Sequence, residues 1–116
     1  MTIRIIDKIS HPQGMLYNVE INTHAVTIIL LFHAIERMKK WGISDKIVIE
    51  TMLMPEEVLA GHRSRYIAHK RYGDHVLRAV YAYQEKIPAL VTVYFPYTNR
   101  YFKGGGTYEN KVFKGS

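Results

Sequence analysis

"AVTIILLFHAIERMKKWGIS", residues 25–44, decides the fold, because its hydrophobic period changes halfway along. The first eight residues form one apolar run rich in β-branched side chains, which argues for a buried strand. A helix running from Thr23 through Trp41 satisfies the same periodicity, and the strand is the reading adopted. From His33 the pattern is helical: Ala34, Ile35, Met38 and Trp41 recur at spacings of three and four, leaving His33, Arg37 and Lys40 on another face. Gly42 ends that helix.

Working outward, residues 2–22 read as a hairpin, with "TIRIIDKI" and "MLYNVEI" separated by the turn residues "HPQG". Downstream, Ser44 followed by Asp45 forms an N-terminal cap with an acid in the first turn. "SDKIVIETMLM" is therefore a second helix, stopped by Pro55. Three strands follow, "HRSRYIAHKR", "HVLRAVYAYQ" and "ALVTVYFPY", joined by the short connections "YGD" and "EKIP" as an antiparallel meander. The expected fold is α+β: N-terminal strands, two short helices, then a three-stranded meander with the helices packed on one sheet face. At 116 residues this is one domain, 1–116.

The bulk composition excludes several classes. There is no cysteine, hence no disulfide framework and no thiol nucleophile. The N-terminus lacks a secretory pattern, and the longest apolar run is far short of the about 20 residues that a membrane helix needs, so a cytoplasmic protein away from membranes is expected. The net charge is +6, and residues 62–103 carry all of it: eight Lys/Arg face only Asp74 and Glu85. A basic surplus interleaved with tyrosines fits a polyanion-binding surface as well as it fits a solvated sheet face.

The six histidines lack metal-ligand spacing, so neither a metal nor another cofactor is expected. No nucleophile elbow, carboxylate pair or P-loop is present. His33, Arg37 and Lys40 make a cationic stripe that is either a wet helix face or half of an anion site. On the first meander strand, alternation puts Arg63, Arg65, Ile67, His69 and Arg71 on one face and Tyr66 and Lys70 on the other. Arg78, flanked by valines, either pairs with Glu50, Glu56 or Glu57 or clamps a phosphate with its forked donors. A reaction that suits cations, imidazoles and phenols without metal is RNA cleavage through attack of a ribose 2′-hydroxyl on the adjacent phosphate. Tyr66, Tyr81, Tyr83, Tyr94 and Tyr97 are candidates to stack bases.

The stretches "HAIERMKKWGIS", "MPEEV", "RYIAHKRYGDHVLRAVY" and "ALVTVYFPYTNRYF" occur in the order seen in a phage-derived domain family of unknown function, with an HAxxRM start, an RxVY strand and a closing TVY strand. That family resembles a branch of the RelE/ParE toxin superfamily, and the similarity covers residues 26–113, outside the hairpin of residues 1–22. The resemblance implies a RelE-like fold and an endoribonuclease, free or ribosome-dependent, with an antitoxin protein as partner and a homodimer left open. It carries His33 and Arg37, Arg78 and Tyr81, Tyr94, and Arg100 with Tyr101 over from the family motifs. Lys40-Trp41 departs from the pattern, where an "ERG"-like sequence is common. Combining both lines, His33, Arg37, Arg78 and His69 are the expected catalytic set. Arg63, Arg65, Lys70, Arg71, Tyr81, Tyr94, Arg100 and Tyr101 are the expected RNA contacts. The rival expectations are a non-catalytic nucleic-acid or ribosome-binding module, whose affinity falls steeply with salt, and a structural partner protein whose sheet edge another chain completes.

Overall fold

A computed structural model describes residues 2–97. Three antiparallel strands open the chain: β1 (Ile3–His11), β2 (Gly14–Ile21) and β3 (His24–Leu31). Asn22 and Thr23, both at positive φ (50° and 71°), make the tight turn between the second pair, as the right-handed twist of a hairpin demands. Gly14 is required at the start of β2, because a Cβ there would collide with the Leu30 carbonyl of the adjacent strand.

The chain then turns helical without a break. Helix α1 (Phe32–Trp41) ends at Gly42, which takes the left-handed conformation (φ 66°) and donates to the Lys39 carbonyl, while the Ile43 amide donates to Met38. Such a glycine cap satisfies the last carbonyls, and Lys39 and Lys40 in the final turn complement the helix dipole. Helix α2 (Asp45–Leu53) starts on Ser44, whose Oγ accepts from the Ile47 amide, with Asp45 in the first turn. Val48, Ile49, Thr51, Met52 and Leu53 are all buried, so this helix is apolar nearly all round because it is covered nearly all round.

Beyond it come β4 (Glu57–Ala60), β5 (Arg65–Tyr72), β6 (His75–Gln84) and β7 (Ile87–Tyr94), each antiparallel to the next. β7 then pairs in parallel with β3 through Ile29↔Ala89 and Leu30↔Leu90. All seven strands thereby join one mixed sheet in the order β1-β2-β3-β7-β6-β5-β4.

This corrects the expected fold. The chain is not a three-stranded RelE-like meander under two helices with a separate hairpin. Strand takes 58% of the described residues against 20% for helix, and the hairpin is the first third of a continuous sheet. The expectation failed for a physical reason: a parallel joint between strands about sixty residues apart has no local signature, whereas hairpins and caps do.

The sheet buries one face under the helices. Tyr17, Val19, Ile21, Ile28, Leu30, Ala68, Leu77, Ala79, Tyr81, Leu90 and Val93 form a single cluster with Ala34, Met38 and the apolar side chains of α2. Polar anchors hold α2 in place: the Tyr72 hydroxyl donates to Glu50 Oε1 at 3.0 Å, and the Tyr17 hydroxyl donates to Asp45 at 3.2 Å. Burial first, then the neighbouring carboxylates, push both phenols up to about 12. α1 is placed differently. It packs chiefly against β7 and takes the position beside that strand which β3 leaves when it ends. Ala34 and Met38 reach the core from there, while Arg37 is left to address the other side of β7.

Candidate functional site

Alternation and register build the site on the face of the sheet away from the helical core. Glu57 pairs with His69, His69 with Arg78, and Arg78 with Tyr94, so these four side chains form one row across β4, β5, β6 and β7. Directly opposed residues in antiparallel strands hold their Cβ atoms about 4.5–5.5 Å apart, close enough for each to touch the next. At the far end, the Arg37 guanidinium lies over the Tyr94 ring, 4.9 Å from its centroid. A cation in that position is attracted by the ring's negative face.

The two ends of the row differ in kind. His69 Nδ1 and Glu57 Oε1 are 2.8 Å apart and both side chains are fully buried, so that end is interior. The Tyr94 end is open. Arg78, Tyr94, Trp41, His75, Phe95, Pro96 and Tyr97 line a hollow of about 530 Å³. Its floor is built by the turn that follows β7: the Val76 amide donates to the Pro96 carbonyl at 2.9 Å, and Tyr97 bridges to His75. The His75 imidazole stacks on Phe95 (4.8 Å between centroids) and on Tyr97 (4.5 Å), which fixes its plane. Arg37 backs the Tyr94 ring and is not itself among the residues that line the hollow; its Nε is buried and has no hydrogen-bond partner among the described residues. A guanidinium so placed adds positive potential beside the hollow, which favours an anion there.

The expected site residues divide accordingly. Arg37, Arg78 and Tyr94 come together. His33 does not; it is exposed in the first turn of α1 and does not line the hollow. His69 is withdrawn into its pair with Glu57, and Tyr81, expected as an RNA contact, is a core side chain. The Tyr81 ring is fully buried, stacked at 5.6 Å on Tyr66, with its hydroxyl pushed up by burial and by the phenols of Tyr83 and Tyr66. It presents no face to a base. Lys70 lies 3.3 Å from Glu50, on the helix side. Arg71 is held by Glu56, which accepts from its backbone amide (2.7 Å), its Nε (3.1 Å) and its Nη2 (2.7 Å). Those contacts hold the Glu56 carboxyl below its ordinary range. Arg63 and Arg65 line a second, smaller hollow of about 270 Å³ with Gly61, His62, Ile67 and Val80. Arg100 and Tyr101 lie outside the described residues.

Sequence reasoning missed Trp41, His75 and Phe95 as members of the site. Trp41 fitted the apolar stripe of α1, yet it is 45% exposed at the rim of the hollow. The available signal was the departure of Lys40-Trp41 from the family pattern. His75 and Phe95 carried none, because only the turn after β7 brings them together.

Among the described residues, no group of three His, Asp or Glu side chains is placed to hold a metal ion, and no helix is long and apolar enough to cross a membrane. Comparison with curated proteins and with solved structures found no match. A family profile, described as "Domain of unknown function (DUF4258)", matches residues 30–95, which takes in α1, α2, β4, β5, β6, β7 and so every strand and helix that borders the hollow. The chain belongs to this DUF4258 family.

Proposed function

We propose that the protein is a toxin-like endoribonuclease that cleaves RNA without a metal, with its scissile phosphate held beside Tyr94 by Arg37 and Arg78. The observation that carries this reading is the cationic end of the row: Arg78 lines the hollow directly across the strand pair from Tyr94, and the Arg37 guanidinium is seated over that ring. The sequence resemblance to RelE/ParE toxins supports the same chemistry, although the sheet is built differently. A cytoplasmic setting and an antitoxin partner belong to this proposal, and RNA on the ribosome is one of its substrates to test.

The reaction needs three things. The ribose 2′-hydroxyl gives up its proton as its oxygen bonds to phosphorus; His75, oriented by its two ring contacts, is the base that takes it. The pentacoordinate phosphorus gathers negative charge, which two guanidinium groups offset more strongly than they offset the ground state. The bond to the 5′-oxygen then breaks, and that oxygen takes a proton from the Tyr94 phenol. A 2′,3′-cyclic phosphate and a free 5′-hydroxyl result. His33 and His69, expected as proton carriers, are replaced in this scheme by His75.

The test is incubation of purified protein with RNA, alone and with ribosomes, followed by end-group analysis. Cyclic phosphate termini that vanish in His75→Ala are the expected result, and intact RNA in both settings sinks the proposal. A second reading, a non-catalytic nucleic-acid-binding module, is favoured by the burial of His69, which leaves a single histidine at the hollow. It predicts salt-sensitive RNA binding with no cleaved product.

A further inference from the structure

We infer that the hollow seats one purine nucleotide, with its phosphate at Arg78 beside the Tyr94 ring that Arg37 backs, and its base against the exposed rings of Trp41 and Tyr97. The inference rests on reading the hollow as an RNA site, and it adds which unit of RNA is held and by what. Two observations beyond the arginines point to it. Trp41 and Tyr97 are 45% and 58% exposed although both line the hollow, so two large π surfaces stand in water at its rim. Such rings are costly to leave wet and are suited to stacking on a base, which presents a π face of its own. The volume, about 530 Å³, is also too large for a phosphate alone and lies within the range of sites that enclose small organic ligands, roughly 300–1,000 Å³.

The chemistry is divided between the walls. On the Tyr94 side are forked cationic donors, which bind phosphate in a planar, bidentate way that an ammonium group cannot match. On the Trp41 and Tyr97 side there is aromatic surface, which selects for a large flat ring. A purine covers more of it than a pyrimidine does, so affinity for adenosine 3′-monophosphate should exceed that for cytidine 3′-monophosphate. His75 lies between the two walls, stacked on Tyr97, where the ribose would join base to phosphate.

Trp41 is the sole tryptophan, so its emission reports occupancy without any turnover. Titrating the intact protein with adenosine 3′-monophosphate should quench that emission saturably. Adenosine alone and inorganic phosphate alone should each bind about tenfold or more weakly, because each lacks one wall. Arg37→Ala and Tyr97→Ala should each lower affinity about tenfold, with unchanged circular dichroism, whereas Lys86→Ala, in the turn between β6 and β7, should bind like wild type. No saturable change with the nucleotide overturns the inference. So does equal affinity for adenosine, which would leave the arginines without a role, or equal affinity for phosphate, which would leave the rings without one. The readout is separate from cleavage: saturable binding by a protein that leaves RNA intact removes the nuclease reading and keeps the nucleotide site, and cleavage without nucleotide binding does the reverse.

Discussion

Arg71 and Arg37 are the same side chain in opposite circumstances. Arg71 stands at the end of β5, and three of its donors, one of them the backbone amide, are taken by Glu56. Arg37 stands on α1 with its Nε buried, an aromatic ring beneath it and no hydrogen bond to that atom among the described residues. The first is a closed electrostatic account in which donor and acceptor come from adjacent segments. The second is open, and the row formed by Arg78 and Tyr94 leads straight to it. Local charge therefore does not tell the two apart, since both arginines lie in basic stretches and only the state of their donors separates them.

Breaking that comparison gives the largest expected effect. If Arg37 and Arg78 hold a phosphate whose charge grows during reaction, Arg37→Ala and Arg78→Ala should each lower RNA cleavage roughly 100- to 1,000-fold, the usual loss when one preorganised donor is removed from a developing anion. Arg71→Ala should leave the rate unchanged. Single-turnover cleavage of a labelled RNA distinguishes these outcomes, and equal losses in Arg37→Ala and Arg71→Ala would mean that net charge alone matters.

The same contrast marks how much was legible from sequence. Both helices have local causes, the Gly42 cap and the Ser44 oxygen, and both stand where periodicity and capping put them. The joint between β3 and β7 is made by two residue pairs of distant segments, and the four-residue strand β4 has no periodicity to read, so the single sheet was not visible. For the site, alternation could tell which face His69 shares with Arg65 and Arg71 but not how deep it lies. Arg65 and Arg71 are exposed while His69 between them is fully buried. Depth is set by what packs over a face, which is a property of the whole chain. Of the residues that come together, Arg78 stood out among valines, Arg37 was one of a cationic stripe and Tyr94 came from the family motif, whereas His75 owes its place to the turn after β7.

The buried end of the row sharpens the comparison from the side of stability. His69 and Glu57 are fully buried and bonded to each other, so His69→Ala removes the buried partner of the Glu57 carboxyl. Breaking such a pair costs roughly 3–5 kcal/mol, while replacing both members with apolar residues of similar volume costs much less. Urea unfolding of His69→Ala beside His69→Leu/Glu57→Met would show it. Similar stability of the two variants would mean that the pair contributes through shape and not through charge. A smaller effect is expected at the helix anchor: Tyr72→Phe removes a hydroxyl that contacts Glu50 and Thr51, at about 1 kcal/mol in the same measurement.

The smallest effect belongs to the closed arginine, and its sign can be worked out. Arg71, chiefly through its hydrogen bonds, holds the Glu56 carboxyl below its usual 4.5. A group whose folded value lies below its unfolded one contributes stability that is fully present above the unfolded value and is lost as pH falls through the folded value. Between pH 7 and 5 the contribution should be constant, and it should decline as acid is added below about 4.5. Glu56→Gln has no such carboxyl and should show a shallower loss of stability over that acid range, although Glu56 is partly solvated and salt screens the pair, so the difference is small. Parallel unfolding curves for the two proteins from pH 5 down to 3 would show that Arg71 is held by geometry alone, and the contrast with Arg37 would then rest on hydrogen bonding and not on charge.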